Sequence, residues 1–511
     1  MRSAHTTPDI RAAERALMAL VPEGALMQRA AAGLASVCAR LLGRVYGSRV
    51  VVLAGSGDNG GDALYAGARL AARGATVTAI PAGPRLHEAG AQALARSGGR
   101  ILARADRATS PADLAEAAAV LARADLIIDG ILGIGGRGGL REPAATLAGL
   151  VARAAAAGAV VVATDLPSGV DADTGVTSGA AIRADVTVTF GTVKPGLLID
   201  PGAGQAGAVD LVDIGLRPHL PAPAVIVMQA ADVAALLPRP GTESDKYRRG
   251  VLGVLAGSER YTGAAMLCVG GAIRGGAGMV RLVSARPAAD VVRQHWPEAV
   301  ITVIDPADPA AGVGSAGRVQ AWVAGPGLGT GEEAAALLAA ALATSLPVLV
   351  DADGLTVLSR HRELLARPAG APTVITPHAG ELGRLLNADH ADIEARRLEY
   401  ARRGAAELGV TVLLKGSTTV VATPDPAEPV LVNPTGTSWL ATAGSGDVLS
   451  GLAGALLAQG VVPVWSAAAA AAFLHGLAGR LAARDAPIAA ADILSTLPDA
   501  FRVVDDDLKT R

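Results

Sequence analysis

From residue 49 onward the chain alternates short β-branched runs with Ala/Leu-rich stretches: RVVVLA (49–54), ATVTAI (75–80), DLIID (125–129), AVVVAT (159–164) and DVTVTF (185–190). Runs that are apolar at every position need cover on both faces, and the intervening helices supply it, so the pattern predicts a parallel sheet inside α/β layers. Pro and Gly then thicken through DIGLRPHLPAPA (213–224), the best linker candidate. A second alternation follows: VLGVLAG (251–257), GMVRLVS (278–284), AWVAG (321–325), PVLVDADG (347–354), PTVITP (372–377), VTVLLKG (410–416) and TTVVATP (418–424). From Asp447 the sequence reads as a helical series. No short-period repeat is present, which predicts two unlike α/β domains rather than a solenoid.

Length agrees with that division, since 511 residues exceed one domain of roughly 100–200. The net charge of −2 leaves no cationic excess for a phosphate backbone or an anionic bilayer, so neither nucleic acid nor membrane is an expected partner. Hydrophobic residues make up 51% with only 2% aromatic, which describes a core of Ala, Val, Leu and Ile rather than a disordered chain. Cys38 and Cys268 lie too far apart for a CxxC pair and read as small buried fillers of a reducing compartment. The first residues, MRSAHTTPDIRAAERALMAL, carry Asp9, Arg11, Glu14 and Arg15 where a signal peptide needs an apolar stretch, so an amphipathic helix is expected there. The Ala-rich run VWSAAAAAAFLHGLAGRLAA is broken by glycine and carries Arg480. A soluble, cytoplasmic protein is the expectation.

The first domain opens with Gly55-x-Gly57-x-x-Gly60 between a strand and a helix, the place of a dinucleotide fingerprint. The acidic residue that should follow about 20 positions on, at the next strand's end, is missing from ATVTAIPAG. Asp58, Asn59 and Asp62 also compete with a pyrophosphate for the loop's donors. A tight turn packed by glycines is the plain alternative. Against it stand polar residues at the other strand ends: Asp129 in DGILGIGGRGG, Asp165 and Ser168 in TDLPSGVD, and Lys194 in TFGTVKPG. In an open parallel sheet these ends converge on one crevice.

Together GSGDNGGD, DGILGIGG, TDLPSGVD and TFGTVKPG resemble the motifs of the NAD(P)H-hydrate epimerases, which interconvert the R and S forms of hydrated NAD(P)H. The resemblance implies a potassium ion on Asn59, Asp129 and Ser168, which are hard oxygen donors. It implies substrate contacts from Asp58, Asn59, Gly60, Gly61, Asp62, Gly133, Ile134, Gly135, Asp165 and Lys194, with Asp165 as the proton-transfer residue. The family usually has Asn-Asn where this chain has Asp58-Asn59.

In the second domain NPTGTSWLATAGSGDVLSGLAGALLAQG (433–460) places Gly444, Ser445 and Gly446 at a helix start, where backbone N–H groups form an anion nest. Asp447 beside it is suited to take a proton from a hydroxyl attacking phosphorus, the alternative being an ordinary acidic first turn. VLLKGSTTVV puts Lys415 and Gly416 in a turn after a strand, PHAGE puts His378 and Glu381 after another, and AGPGLGTG adds a glycine loop. No Walker loop is present.

These segments, with residues 244–283, resemble the ADP- or ATP-dependent NAD(P)H-hydrate dehydratases of the ribokinase-like superfamily, which phosphorylate the S hydrate and then eliminate phosphate. The resemblance implies hydrate contacts from Ala264, Gly327, His378 and Asp447, with Asp447 as base, and ADP contacts from Lys415, Gly416, Ser417, Thr418, Thr419 and Gly446. Mg2+ is expected for phosphoryl transfer, with Glu381 and Asp351 as alternatives for its water shell.

The expectation is therefore an α/β protein with an N-terminal Rossmann-like three-layer domain over 1–216, a linker over 217–225 and a C-terminal ribokinase-like three-layer domain over 226–511. It would be a homo-oligomeric isomerase and lyase, taking K+ in the first domain and Mg2+ with ADP in the second. Two rivals are a small-molecule kinase, which leaves the first domain idle, and a nucleotide-sensing module with a degenerate site.

Overall fold

A computed structural model describes residues 1–102, 111–136, 138–368 and 370–509. The chain divides into two compact units, Ser3–Val225 and Ile226–Arg511, the second also taking in Met1–Arg2.

In the first unit seven parallel strands lie in the order Arg100–Ile101, Thr76–Pro81, Arg49–Ala54, Leu126–Gly130, Val160–Thr164, Val186–Phe190 and Ala208–Val212. Chain order reverses between Arg49–Ala54 and Leu126–Gly130, so the loops leaving their carboxyl ends part and open a crevice. Both faces are covered. Val50 and Val52 pack with the helices Thr7–Met18, Ala25–Leu42 and Asp58–Ala71, while Val51 and Leu53 point into a separate core with Pro111–Leu121 and Ala144–Ala156. That is why the strand shows no hydrophobic alternation. The expected N-terminal helix is Thr7–Met18, which buries Ile10, Ala13 and Leu17 and leaves Arg11 and Arg15 exposed.

The second unit has the strand sequence Val430–Asn433, Thr419–Ala422, Thr411–Leu414, Thr373–Ile375, Val348–Val350, Ala321–Ala324, Val251–Leu255, Met279–Ser284 and Val300–Val303. Pairing is parallel except around Thr419–Ala422, which is antiparallel to both neighbours. Here the order reverses between Val251–Leu255 and Ala321–Ala324. The helix Ser445–Gln459 runs against Thr262–Arg274 so closely that a Cβ on Gly451 would lie 1.9 Å from the carbonyl oxygen of Cys268. Val464–Ala483 is a buried Ala-rich helix, and among the described residues no helix is long and apolar enough to cross a membrane.

Every run expected to form a strand contains one. The strands Arg2–Ala4, Arg100–Ile101, Ala208–Val212, Val225–Val227, Val300–Val303 and Val430–Asn433 were not among the expected runs. Three of them, Arg100–Ile101, Ala208–Val212 and Val300–Val303, are short sheet edges with exposed positions, where one-sided cover removes the need for a continuous apolar run. Both cysteines are buried and free.

Candidate active sites

In the first unit Arg49–Ala54 delivers the chain into the Gly55 turn and the helix Asp58–Ala71. Glycine is needed there because a Cβ on Gly55 would fall 1.9 Å from the carbonyl oxygen of Ile131, on the loop across the crevice. A cavity of about 1160 Å3 opens at this point, and Glu14, Asp58, Asn59, Asp62, Asp165 and Lys194 are among its walls.

Asp165 follows the strand Val160–Thr164 in the left-handed region, φ 66°, a conformation that costs a side-chain-bearing residue about 1–3 kcal/mol and is held by its surroundings. Its Oδ1 accepts from the Thr189 hydroxyl and the Phe190 N–H, both at 3.2 Å, and from the Lys194 ammonium. Lys194 is 1% exposed, and its remaining donors go to the Thr189 hydroxyl at 2.9 Å and the Phe190 carbonyl at 3.0 Å. With three protons and three acceptors the ammonium is fully committed, so its structural work is to hold Asp165.

Two further carboxyls face the same space. Burial raises Asp62 well above the ordinary range, reinforced by the charges of Asp165, Asp58 and Glu14, and its Oδ1 has no partner among the described residues. Glu14 is likewise raised, first by burial and then by Asp165. Asp129, fully buried, accepts from the Ser168 N–H at 2.8 Å, the Ser168 hydroxyl at 2.6 Å and the Ile131 N–H at 3.2 Å; burial pushes its carboxyl up to about 6. The Ser168 hydroxyl also accepts from the Leu132 N–H, and a Cβ on Gly133 would sit 2.9 Å from Oδ1 of Asn59. Asn59, Asp129 and Ser168 thus meet around the loop Ile131–Gly133.

In the second unit the helix Ser445–Gln459 starts from Gly444 at φ +86°, with Asp447 in its first turn. Burial drives the Asp447 carboxyl up to about 7, with Asp351 adding to the rise and Lys415 opposing it. Asp351, 1% exposed, accepts from the Lys415 ammonium at 2.7 Å and the Ser450 hydroxyl at 2.6 Å. Glu381 stands 3.9 Å from the same ammonium and accepts from the His378 N–H at 2.8 Å, closing a capping box on the helix Ala379–Leu386. Gly446 lies over this group, since a Cβ there would be 3.5 Å from Nζ of Lys415.

Two models of known families cover most of the chain: one described as YjeF-related protein N-terminus matches residues 23–196, and one described as NAD(P)H-hydrate dehydratase matches 252–499. A bifunctional NAD(P)H-hydrate repair enzyme of Mycobacterium leprae is 48% identical over 490 residues, spanning 95% of this chain and 95% of the relative. The chain belongs to the family of bifunctional NAD(P)H-hydrate repair enzymes. Its relative in Mycobacterium tuberculosis is 50% identical over 466 residues, 90% of each chain. Among solved structures, an ADP/ATP-dependent NAD(P)H-hydrate dehydratase from Bacillus subtilis is 30% identical, with a TM-score of 0.48, covering 54% of this chain and 97% of its own.

Within this repair-enzyme chain, Asp58, Asn59, Asp62, Gly133, Ile134, Gly135, Asp165 and Lys194 line one cavity, with Gly60 and Gly61 buried behind it on the helix Asp58–Ala71. Gly327 and Ala264 adjoin, a Cβ on the glycine falling 2.7 Å from that of Ala264. Lys415, Gly446 and Asp447 gather around Asp351. Thr418 is buried and Thr419 begins the strand Thr419–Ala422, whereas Gly416 and Ser417 are exposed at its turn. His378 caps its own helix through Nδ1, which accepts from the Gly380 N–H at 3.0 Å.

Sequence reasoning passed over four supporting groups. His475, fully buried in the Ala-rich helix, donates from Nε2 to the Ser445 carbonyl at 2.9 Å, and burial holds its imidazole down at about 4, so the ring is neutral and steadies the start of the Asp447 helix. Ser450 stands one turn beyond Asp447, and that i+3 spacing was the available signal. Arg397 donates to the Lys415 carbonyl at 3.2 Å, and Glu14 enters the first cavity from the N-terminal helix. Nothing local in the sequence marks either one.

Proposed function

We propose that Ser3–Val225 epimerises the R and S forms of hydrated NAD(P)H, and that Ile226–Arg511 dehydrates the S form with ADP, yielding NAD(P)H, AMP and phosphate. The observation that carries this reading is one carboxylate in each unit's site: Asp165, buried and held by Lys194, and Asp447, raised by burial to about 7.

The hydrate is a hemiaminal. Its hydroxyl leaves as water once protonated, giving a ring iminium, and water returns on either face while a base takes its proton. Asp165 is assigned the base role, and the carboxyls of Asp62 and Glu14 supply further proton-handling groups in the same cavity. In the second unit the hydrate hydroxyl attacks the terminal phosphorus of ADP, its proton passing to Asp447 as AMP departs. Phosphate then leaves with the neighbouring ring proton, restoring the double bond.

Asn59, Asp129 and Ser168 fit a potassium ion: they offer oxygen donors, and the buried Asp129 carboxylate has no basic side chain against it among the described residues. Such an ion would supply a fixed positive charge beside the substrate loop. For Mg2+, both oxygens of Asp351 are taken by Lys415 and Ser450, whereas the capping bond of Glu381 uses only its Oε2, so Glu381 is assigned to the water shell. Among the described residues no three acidic, His or Cys side chains form a cage, in keeping with a metal held chiefly by the nucleotide's phosphates. Lys415, Gly416, Ser417, Thr418, Thr419 and Gly446 are assigned to ADP, and Ala264, Gly327 and His378 to the hydrate. A cytoplasmic homo-oligomer completes the reading, the oligomer being open to light scattering.

The test is incubation of the full chain with an R/S mixture of hydrated NADH, ADP and Mg2+, following the return of dihydronicotinamide absorbance. Recovery of both epimers is expected. No recovery with ADP or ATP overturns the proposal, and accumulation of a stable phosphorylated product would point to a kinase instead.

A further inference from the structure

Next to the cavity beside Asp165, at the loop Ile134–Gly136, lies a recess of about 500 Å3 lined by Arg11 and Arg15 of the helix Thr7–Met18 and by Asp171 and Asp173. Arg11 and the loop line both spaces, so the recess lies directly beside the cavity. Spaced i and i+4, the two arginines project from the same side of their helix.

Each aspartate opposite is engaged through one oxygen. Oδ1 of Asp171 accepts from the Asp173 and Thr174 N–H groups and from the Thr174 hydroxyl, and Oδ1 of Asp173 accepts from the Thr7 N–H at 2.6 Å. Among the described residues neither guanidinium has a hydrogen-bond or ion-pair partner, and the N–H groups of Ile134 and Gly135 meet no acceptor. Nη2 of Arg11 lies 3.5 Å from where a Cβ on Gly135 would sit, so the guanidinium stands close against the loop backbone. Two planar cations and two free amides around one recess form a donor set for a phosphate group.

We infer that Arg11 and Arg15, with the backbone of Ile134–Gly136, bind a phosphate of the hydrated dinucleotide whose ring lies at Asp165. This rests on the epimerase reading of the first unit. The phosphate belongs either to the pyrophosphate, common to both hydrates, or to the 2′-phosphate carried by hydrated NADPH alone.

Without ADP the second unit does not consume the S hydrate, so conversion of S to R by the full chain is followed by chromatography. Arg11→Gln, Arg15→Gln and the double variant are compared with the unaltered chain on both hydrates. Each single change is expected to raise KM roughly tenfold, with a much smaller effect on kcat. A rise for both hydrates assigns the pyrophosphate, and a rise for hydrated NADPH alone assigns the 2′-phosphate. An unchanged KM for both hydrates in the double variant overturns the inference. If the unaltered chain equilibrates neither hydrate, it is the epimerase reading that fails. Both arginines are exposed, so unchanged melting temperatures are expected. Arg15→Gln is the cleaner variant, because Arg11 also acts electrostatically on Glu14.

Discussion

At the scale of single residues, the two assigned carboxylates sit in different surroundings. Asp447 is kept near 7 by burial and by Asp351, so its capacity to take a proton at neutral pH is balanced. Dehydration of pure S hydrate is expected to rise with pH along a limb centred near 7, and the same limb should persist in Asp165→Ala. Asp447→Asn should lower the rate by about 10²–10⁴. The raised value also bears on stability: a carboxyl whose folded pKa exceeds its ordinary 3.8 binds its proton more tightly when folded, so stability falls as pH rises from about 4 to about 7. Asp447→Asn removes that loss, and its melting temperature should exceed that of the unaltered chain at pH about 8 and converge with it at about 4. Asp165, by contrast, depends on an ion pair. Lys194→Met leaves its carboxylate buried without a cation and should cost about 3–5 kcal/mol in denaturant unfolding. Adding Asp165→Asn should restore part of this; no restoration would mean that Lys194 matters for packing instead. Asp165, Lys194 and Asp447 were legible because each sits within two residues of a Gly or Pro at a strand end or helix start. Asp351 was legible only as a metal candidate, since its bonds to Lys415 and Ser450 join positions 64 and 99 residues apart.

At the scale of elements, the Asp447 helix owes its position to glycines. Gly451 lies against the Cys268 carbonyl, and a Cβ on Gly271 would fall 2.3 Å from that of Val448, so the two helices meet almost backbone to backbone. Gly451→Ala should force them apart at about 1–3 kcal/mol and move the nest formed by Ser445 and Gly446. The expected readout is a lower melting temperature and a higher KM for ADP, with epimerisation unaffected. Loss of both activities in parallel would contradict a local role. Most elements were visible as apolar runs or Ala/Leu-rich stretches. The exceptions show why: Ala208–Val212 has only exposed and half-buried positions at a sheet edge, and Val430–Asn433, although buried, is a four-residue run directly before a loop-like segment.

At the scale of the whole molecule, the fusion joins two reactions whose specificities complement each other, because a dehydratase confined to one epimer strands the other. Asp165→Ala should therefore return only the S fraction of a mixed hydrate to NAD(P)H within the assay, and the full yield should reappear when unaltered protein is added. Continued full recovery by the variant alone would remove Asp165 from the mechanism. The sequence by itself determined the α/β class, the succession of strands and helices, and the loops where chemistry gathers, because apolar periodicity and glycine placement are local properties. Tertiary structure decided the rest: which strands form edges, where each sheet reverses its order, and how Glu14, Arg397 and His475 reach their sites. Those contacts join residues remote along the chain, and their energies depend on burial and on neighbouring charge, neither of which is encoded at any single position.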